Sequence, residues 1–180
     1  MKSSYTNLLT LLLFSITIIT VSISLFMYIL PYRYNTTSSL PKGWYQIIDK
    51  EPELGDIILF CIQGEVAKLA SERAYLDTGK CEYGNAPIGK RIVATTGDHV
   101  VINDRGIEVN DRLIDTTKPG SKDAQNRLLP KHNLDTVLKD DEFIVASQKQ
   151  DSFDSRYFGI VTEDKILGTL RPVLTINPAK

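Results

Sequence analysis

Hydrophobic positions follow two different patterns along the chain, and the pattern changes close to Arg33. Residues 8–30 read LLTLLLFSITIITVSISLFMYIL, and no charged residue lies between Lys2 and Arg33. A helix needs about 20 mostly apolar residues to cross the hydrocarbon core of a bilayer, and this run is long enough. The pattern predicts one transmembrane helix over residues 8–30, which Pro31 ends.

Two other interpretations of this apolar run fit less well. A cleaved signal peptide has a shorter apolar stretch followed by an A-x-A-like site, which the sequence lacks there. A buried core helix of this length without any charge is unusual in so small a protein. The flanking charges of Lys2 and Arg33 nearly balance, so they favour a cytoplasmic N-terminus only slightly. We expect residues 1–34 to form a membrane anchor in contact with the lipid bilayer, and residues 35–180 to form one further domain.

Beyond Arg33 the apolar residues come in short runs of period two that are separated by turn residues. These runs are IILFCI at 57–62, RIVATT at 91–96, HVVI at 99–102, GIEV at 106–109, RLID at 112–115, EFIVAS at 142–147, YFGIV at 157–161 and ILGTL at 166–170. Short β-branched runs of this kind predict strands of an antiparallel sheet. The expected fold class is therefore mainly β, with little that favours long helices after the first segment.

The sequence also predicts two of the connections between these strands. Residues 100–102 and 106–109 are expected to pair as a hairpin that turns at residues 103–105, which read Asn-Asp-Arg. Residues 118–134 contain two prolines and many polar side chains, so they are expected to form a surface loop.

Composition excludes several classes of function. The formal net charge is −1, so no basic surface is expected to bind the phosphates of nucleic acid. Two cysteines and two histidines offer too few ligands at metal-type spacings for a zinc site, and we expect neither a metal nor another cofactor. Cys61 and Cys81 form a disulfide if the domain lies in an oxidising compartment, but a buried free Cys61 fits the apolar strand equally well.

Four segments carry side chains that could take part in a reaction, and each segment has an ordinary structural interpretation when taken alone. The segments are NTTSSLPKGWY at 35–45, GDIILF at 55–60, GKRIVATTGD at 89–98 and DSFDSRYFG at 151–159. A serine before a proline usually marks a turn, and a lysine in an apolar strand usually lies at an edge. A strand such as IILF is ordinarily core, and an Asp two residues before an Arg usually forms a solvated ion pair.

In combination and in this order, the four segments resemble the type I signal peptidase family over essentially the whole chain. The details resemble the conjugative-transfer, TraF-type branch, whose serine region has the form N-x-T-x-S-x-P-x-G-x-Y. The matching residues are Asn35, Thr37, Ser39, Pro41, Gly43 and Tyr45. The branch also carries an arginine–aromatic–leucine run, a Gly-x-Cys and then the lysine segment. These correspond to Arg73, Tyr75, Leu76, Gly79, Cys81, Lys90 and Arg91.

The resemblance implies a membrane-bound serine endopeptidase in which Ser39 is the nucleophile and Lys90 the general base. It further implies that the Ser39 N–H and the Thr37 hydroxyl stabilise the oxyanion, and residues i and i+2 of an extended segment do project together. Ser38 competes as nucleophile but breaks the register of the motif. Ser152 is expected to orient the Lys90 amine.

Lys90 can act as a base only if it is neutral near the working pH. Its ordinary pKa of about 10.4 must then fall by about 2–3 units, which burial achieves by disfavouring the ammonium. The apolar neighbours Ile88, Ile92 and Val93 fit that requirement, while Arg91 would point to the opposite face of the strand. A Ser-His-Asp triad is disfavoured, because neither histidine has a suitable partner pattern.

The remaining implications concern the supporting residues and the biological role. Asp154 and Arg156 are expected to form an ion pair that holds their loop. Substrates would be precursor polypeptides with signal peptides, pilin among them, cut after small residues. The catalytic domain would lie on the periplasmic side of the bacterial inner membrane.

The sequence departs from the family at positions outside the proposed catalytic residues. Thr96 replaces a usual proline, Ala74 stands where glycine is common, and there is no room for the extra β region of housekeeping leader peptidases. A housekeeping signal peptidase and a non-catalytic assembly protein of the secretion machinery remain the alternatives, although the latter would be expected to lose Ser39 or Lys90. Self-cleaving SOS-type repressors share the chemistry but carry a DNA-binding domain where this chain has its apolar run.

Overall fold

The computed structural model describes residues 2–176, which form three α-helices and eleven β-strands. The helices are α1 (Lys2–Ile29), α2 (Gly64–Glu72) and α3 (Ser155–Phe158). The strands are β1 (Tyr32–Asn35), β2 (Lys42–Ile48), β3 (Ile57–Phe60), β4 (Ile88–Ala94), β5 (His99–Asn103), β6 (Gly106–Val109), β7 (Arg112–Leu113), β8 (Leu134–Val137), β9 (Glu142–Ala146), β10 (Val161–Thr162) and β11 (Ile166–Ile176). Apart from α1, the chain is mainly antiparallel β.

Helix α1 covers the apolar run that the sequence predicts to be helical. Ser15, Thr17 and Thr20 each donate a hydrogen bond to the carbonyl four residues earlier, so these hydroxyls are satisfied within the helix. Within residues 2–176, no helix combines the length and the apolar character that a membrane crossing requires. The membrane span expected over residues 8–30 is therefore not found, although the helix itself is.

The larger sheet has seven strands in the order β1-β2-β11-β3-β4-β9-β10. Strand β4 lies between β3 and β9, and every residue of β3 is buried, as its apolar run predicts. Alternation along β4 buries Lys90 and exposes Arg91, because successive side chains of a strand point to opposite faces. Helix α2 packs Ala67 and Ala70 onto this sheet. The sheet therefore places the lysine of the 89–98 segment on an interior strand and not at an edge.

The smaller sheet has four strands in the order β7-β6-β5-β8. It contains the predicted hairpin, in which Asn103 pairs with Gly106, so the turn is shorter than expected and consists of Asp104 and Arg105. A cluster of buried residues joins the two sheets and includes Ala94, Ile102 and Ile144.

Several elements differ from those that the sequence predicts. The run YFGIV was expected to be a strand, but Tyr157 and Phe158 belong to α3. The Asp154 carboxylate caps this single turn by accepting from the Arg156 N–H, and Gly159 ends it with φ +76°. Strands β1, β2 and β8 and the helix α2 were not predicted. Strand β11 extends past Pro172 because a register shift beside that residue accommodates the missing N–H.

Cys61 and Cys81 form a disulfide, so of the two states considered for these thiols the bonded one is found. Cys61 directly follows β3, and the bridge encloses a segment that contains α2 and Tyr75. Closing a loop of this size stabilises a fold by about 3 kcal/mol, mainly by restricting the unfolded chain. The bridge therefore holds this segment against the larger sheet.

Candidate active site

The segment that contains Ser39 is shaped by the polar residues of its own motif. The Asn35 amide donates to the carbonyls of Thr37, Leu40 and Pro41, and its oxygen accepts from the Thr37 N–H. The Tyr45 hydroxyl donates to the Pro41 carbonyl at 2.7 Å. These bonds satisfy the backbone of a loop that has no strand partner. The motif therefore fixes the loop that presents Ser39.

Ser39 is half-buried in this loop, whereas Ser38 is exposed. The Ser39 Oγ lies 3.2 Å from the Thr37 Oγ1. Because the Thr37 hydroxyl donates its single proton to the Asn35 Oδ1 at 2.7 Å, the proton between Thr37 and Ser39 comes from Ser39. The Ser147 hydroxyl donates to the Ser39 carbonyl at 2.8 Å and ties the loop to the end of β9.

Lys90 is the buried lysine of β4, with 5% of its surface exposed. Burial lowers its pKa from 10.5 to about 8, since the ammonium loses its hydration; Arg156 adds to this effect, while Asp154 and Asp151 oppose it. The Lys90 Nζ donates to the Ser152 Oγ at 2.7 Å. Lys90 thus combines an amine that can lose its proton near neutral pH with a hydroxyl that fixes its direction.

Asp154 and Arg156 form an ion pair that is completely buried, with both side chains 0% exposed. The ordinary expectation that an Asp two residues before an Arg forms a solvated ion pair is wrong here. A buried pair fits the role that the family resemblance implies, which is to hold the loop. The Arg156 guanidinium also donates to the carbonyls of Lys149, Gln150 and Ser152. Because it joins these carbonyls, Arg156 holds the loop that presents the Ser152 hydroxyl to Lys90.

Removing the acidic half of this pair should destabilise the domain strongly. Asp154→Ala leaves the guanidinium of Arg156 buried without a counter-charge, and such changes cost about 3–5 kcal/mol. Asp104→Ala is the matched control, because Asp104 pairs with Lys131 at an exposed position where loss of the pair costs less than about 1 kcal/mol. Urea unfolding followed by circular dichroism measures both values. Equal values for the two variants would contradict the structural role of the buried pair.

One cavity of about 400 Å³ brings the predicted catalytic residues together. Its lining includes Thr37, Ser39, Lys90 and Ser152. The hydrogen bond of the Lys90 amine goes to Ser152 and not to Ser39, and catalytic hydrogen bonds often form only when substrate is bound. The arrangement lines one cavity with the hydroxyl of Ser39 and the weakly basic amine of Lys90.

The two histidines lie outside this cavity. His99 is on β5, and its Nε2 lies 2.8 Å from the Asp135 Oδ1 on the neighbouring strand. His132 packs against the backbone of Gly159, and burial lowers the pKa of its imidazole. Within the described residues, no group of three or more His, Cys, Asp or Glu side chains is placed to hold a metal ion.

Comparison with known proteins identifies the family. The family model described as "Signal peptidase, peptidase S26" matches residues 5–175. The chain belongs to this family. The order of serine, lysine and Asp-Ser-Arg segments that the sequence shares with signal peptidases therefore reflects membership in the family.

The relatives of this S26 chain include proteins of plasmid transfer. It is 35% identical over 146 residues to a protein of Escherichia coli named "Plasmid transfer protein TraF", covering 79% of this chain and 82% of the relative. It is 32% identical over 151 residues to the "Conjugal transfer protein TraF" of Agrobacterium tumefaciens (strain 15955), covering 82% and 84%. A solved signal peptidase I of Enterococcus faecalis V583 aligns with a TM-score of 0.36 and 19% identity, covering 68% of this chain and 98% of that chain. The identities to the transfer proteins show that the chain is a TraF homologue.

Two features of the site were not assigned a role from the sequence. Ser147 was counted only as the end of a strand, yet it anchors the Ser39 carbonyl across 108 positions of sequence. Ala74 was noted only as a departure from glycine, and the structure gives it φ +52°, a left-handed conformation that disfavours side chains. The left-handed backbone of Ala74 explains why glycine is common at this position in the family. The hydrogen bond of Ser147 to Ser39 could not be found from any local sequence pattern.

Proposed function

We propose that this S26 peptidase is a serine endopeptidase in which Ser39 is the nucleophile and Lys90 the general base. The observation that supports this most strongly is the buried amine of Lys90, whose pKa falls to about 8 inside the cavity that Ser39 also lines. A serine hydroxyl attacks a peptide carbonyl only when a neighbouring base takes its proton. No metal is needed for a neutral amine to do this.

The proposed reaction gives each of the grouped side chains a distinct role. The Ser39 Oγ attacks the substrate carbonyl carbon and its proton passes to the Lys90 Nζ, which then gives it to the departing amine as the peptide C–N bond breaks. Water, deprotonated by Lys90, then attacks the acyl ester on Ser39, and Lys90 returns the proton to the Ser39 Oγ as the ester C–O bond breaks. The Ser152 hydroxyl accepts from Lys90 throughout and keeps the amine directed into the cavity.

The oxyanion of the tetrahedral intermediate would be stabilised by the Ser39 N–H and the Thr37 hydroxyl. The N–H belongs to a loop that Asn35 and Ser147 already fix. The Thr37 hydroxyl now donates to Asn35, so it must rotate towards the substrate to take this role. Thr37→Val should lower kcat with little change in KM if the hydroxyl acts mainly in the transition state.

We propose that the substrates are exported precursor polypeptides cut after small residues, and that the biological role is conjugative transfer, with pilin as a client. The relatives named as plasmid and conjugal transfer proteins support this role. The alternative of a housekeeping signal peptidase predicts many substrates and an essential gene.

Deleting the gene distinguishes the two roles. A dedicated transfer peptidase should leave growth unchanged, abolish DNA transfer and leave the pilin at its precursor mass. Growth rate, conjugation frequency and intact-mass spectrometry of the pilin are the measurements, with the wild-type gene on a second plasmid as the control. Lethality with accumulation of many secreted precursors would contradict the conjugation role and support the housekeeping one.

We further propose that the catalytic domain works on the periplasmic side. The disulfide between Cys61 and Cys81 supports this location, because such bonds persist in oxidising compartments. Alkaline phosphatase fused after Lys180 should be active in cells, and a well-expressed but inactive fusion would contradict the location. Contact with the lipid bilayer stays a prediction, which separation of membrane and soluble fractions tests.

A further inference from the structure

A second cavity, here called the aromatic cavity, lies beside the one that contains Ser39 and Lys90. Its volume is about 710 Å³, larger than the 400 Å³ of the first. Cavities that bind ligands usually measure about 300–1,000 Å³ and are lined mainly by apolar side chains with a few polar groups. The proposed reaction uses none of the side chains that line the aromatic cavity alone.

Three aromatic side chains form one side of the aromatic cavity. The ring of Phe153 lies between those of Tyr75 and Tyr157, with centroid distances of 5.3 and 5.5 Å. The Tyr157 hydroxyl accepts from the Gly120 N–H at 2.9 Å, and the Tyr75 hydroxyl donates to the Asp123 carboxylate at 2.7 Å. Both phenols are bonded at their polar ends, and the guanidinium groups of Arg127 and Arg156 lie over the rings of Tyr75 and Tyr157. The apolar part of the lining is therefore the half-buried ring of Phe153 together with Leu129 and Ala124.

The opposite side is the loop that contains Asp123, and its conformation is fixed. Besides Tyr75, the Asp123 carboxylate accepts from the N–H groups of Gln125 and Arg127 and from the Arg127 side chain. Burial raises the pKa of this carboxyl, but the hydrogen bonds from Tyr75 and Arg127 outweigh it and hold the pKa well below its usual range. The carboxylate stays charged and keeps its bonds, so the aromatic cavity is formed before any ligand arrives.

The aromatic cavity adjoins the catalytic one. Tyr75, Lys149, Asp151 and Phe153 line both. Asp151 and Phe153 flank Ser152, which accepts the hydrogen bond from the Lys90 amine. A polypeptide bound across Ser39 would therefore pass close to the aromatic cavity.

We propose that the aromatic cavity is a specificity subsite that binds a large apolar side chain of the substrate polypeptide, at a fixed distance from the bond that is cut. The subsite rests on the proposed peptidase function. The occupant is assigned by the apolar side chains of Phe153 and Leu129 in the lining and by the residues that line both cavities, which make the same polypeptide the ligand of both. The subsite would let the enzyme select its clients by a residue beyond the small ones at the cut.

Blocking the aromatic cavity without touching the catalytic one tests this subsite. Ala124 and Lys122 line only the aromatic cavity, and Ala124→Trp and Lys122→Trp would each fill part of it. Leu128→Trp is the matched control, because Leu128 lies on the same loop, is 71% exposed and lines neither cavity. Thermal melting of each variant identifies any that fails to fold.

The substrates are synthetic peptides with Ala-x-Ala before the cut and a single Leu or Ser at each neighbouring position in turn. In the wild-type enzyme one position should favour Leu over Ser by about tenfold in kcat/KM. That preference should disappear in Ala124→Trp and Lys122→Trp and persist in Leu128→Trp, while the all-Ser peptide is cut at an unchanged rate by all four enzymes.

Two results would overturn the subsite. The first is cleavage with no position that favours Leu, and the second is a preference that both blocking variants retain. Failure of the wild-type enzyme to cut any peptide or precursor would instead contradict the peptidase function on which the subsite rests.

Discussion

Replacing Ser39 with alanine is expected to lower the rate of precursor cleavage by about 10⁴-fold or more, because removal of a covalent nucleophile leaves only substrate binding and oxyanion stabilisation. The assay follows the mass of a pilin precursor incubated with purified enzyme. Substrate binding should persist, since the loop is fixed by Asn35 and Tyr45 and not by the Ser39 hydroxyl.

Ser38→Ala is the matched control for this prediction. Ser38 is the adjacent serine, is exposed and lies outside the register of the motif. The variant should retain most of the activity. An active Ser39→Ala enzyme together with an inactive Ser38→Ala enzyme would reassign the nucleophile.

Lys90→Arg is expected to be inactive although it preserves a positive charge. The guanidinium has a pKa above about 12 and does not give up its proton at working pH, so it cannot accept one from Ser39. In the proposed mechanism the reactive form is the neutral amine, whose population grows as pH rises towards the pKa of about 8. The wild-type kcat/KM should therefore rise about tenfold per pH unit below 8 and level off above it.

Arg91→Lys is the control for the lysine variant. Arg91 is the neighbour on the exposed face of β4, where its guanidinium donates to the Gly55 carbonyl at 2.5 Å. This variant should stay active with an unchanged pH profile. An active Lys90→Arg enzyme with the wild-type pH profile would exclude the lysine base, and strong inhibition by a chelator would point to metal chemistry.

Most strands of this fold could be predicted from the sequence, because alternation of apolar and polar residues is enough to indicate a strand with one buried face. The alternation around Lys90 and Arg91 was sufficient to predict that the two side chains point to opposite faces, whereas the burial of Lys90 was predicted only together with the family resemblance. The same rule failed at Tyr157, because the Asp154 carboxylate caps a helical turn there, and a capping bond depends on one side chain rather than on a periodic pattern.

Only those site residues that belong to a family motif could be predicted from the sequence. Ser39, Lys90 and Ser152 come from three separate segments, and the structure places all three in the lining of one cavity. The family resemblance had grouped them in advance, whereas the pattern of each segment alone did not. The contact of Ser147 with Ser39 could not be predicted, because it depends on how β9 meets the serine loop in space. The aromatic cavity escaped prediction for the same reason, since its rings and its loop lie far apart in sequence.

The burial of Lys90 makes the fold less stable at the pH at which cells live. The unfolded chain restores the pKa of this amine to 10.5, so between pH 8 and 10.5 the unfolded state binds more protons than the folded state does. Below pH 8 the folded domain is disfavoured by about 3 kcal/mol from this residue, and above pH 10.5 the penalty is gone. Lys90→Met should therefore melt at a higher temperature than the wild-type enzyme at pH 7, and scanning calorimetry at pH 7 and pH 10.5 should show that advantage shrinking. A variant that loses the Lys90 amine would gain folding stability, so selection for stability alone would remove the base that the proposed mechanism requires.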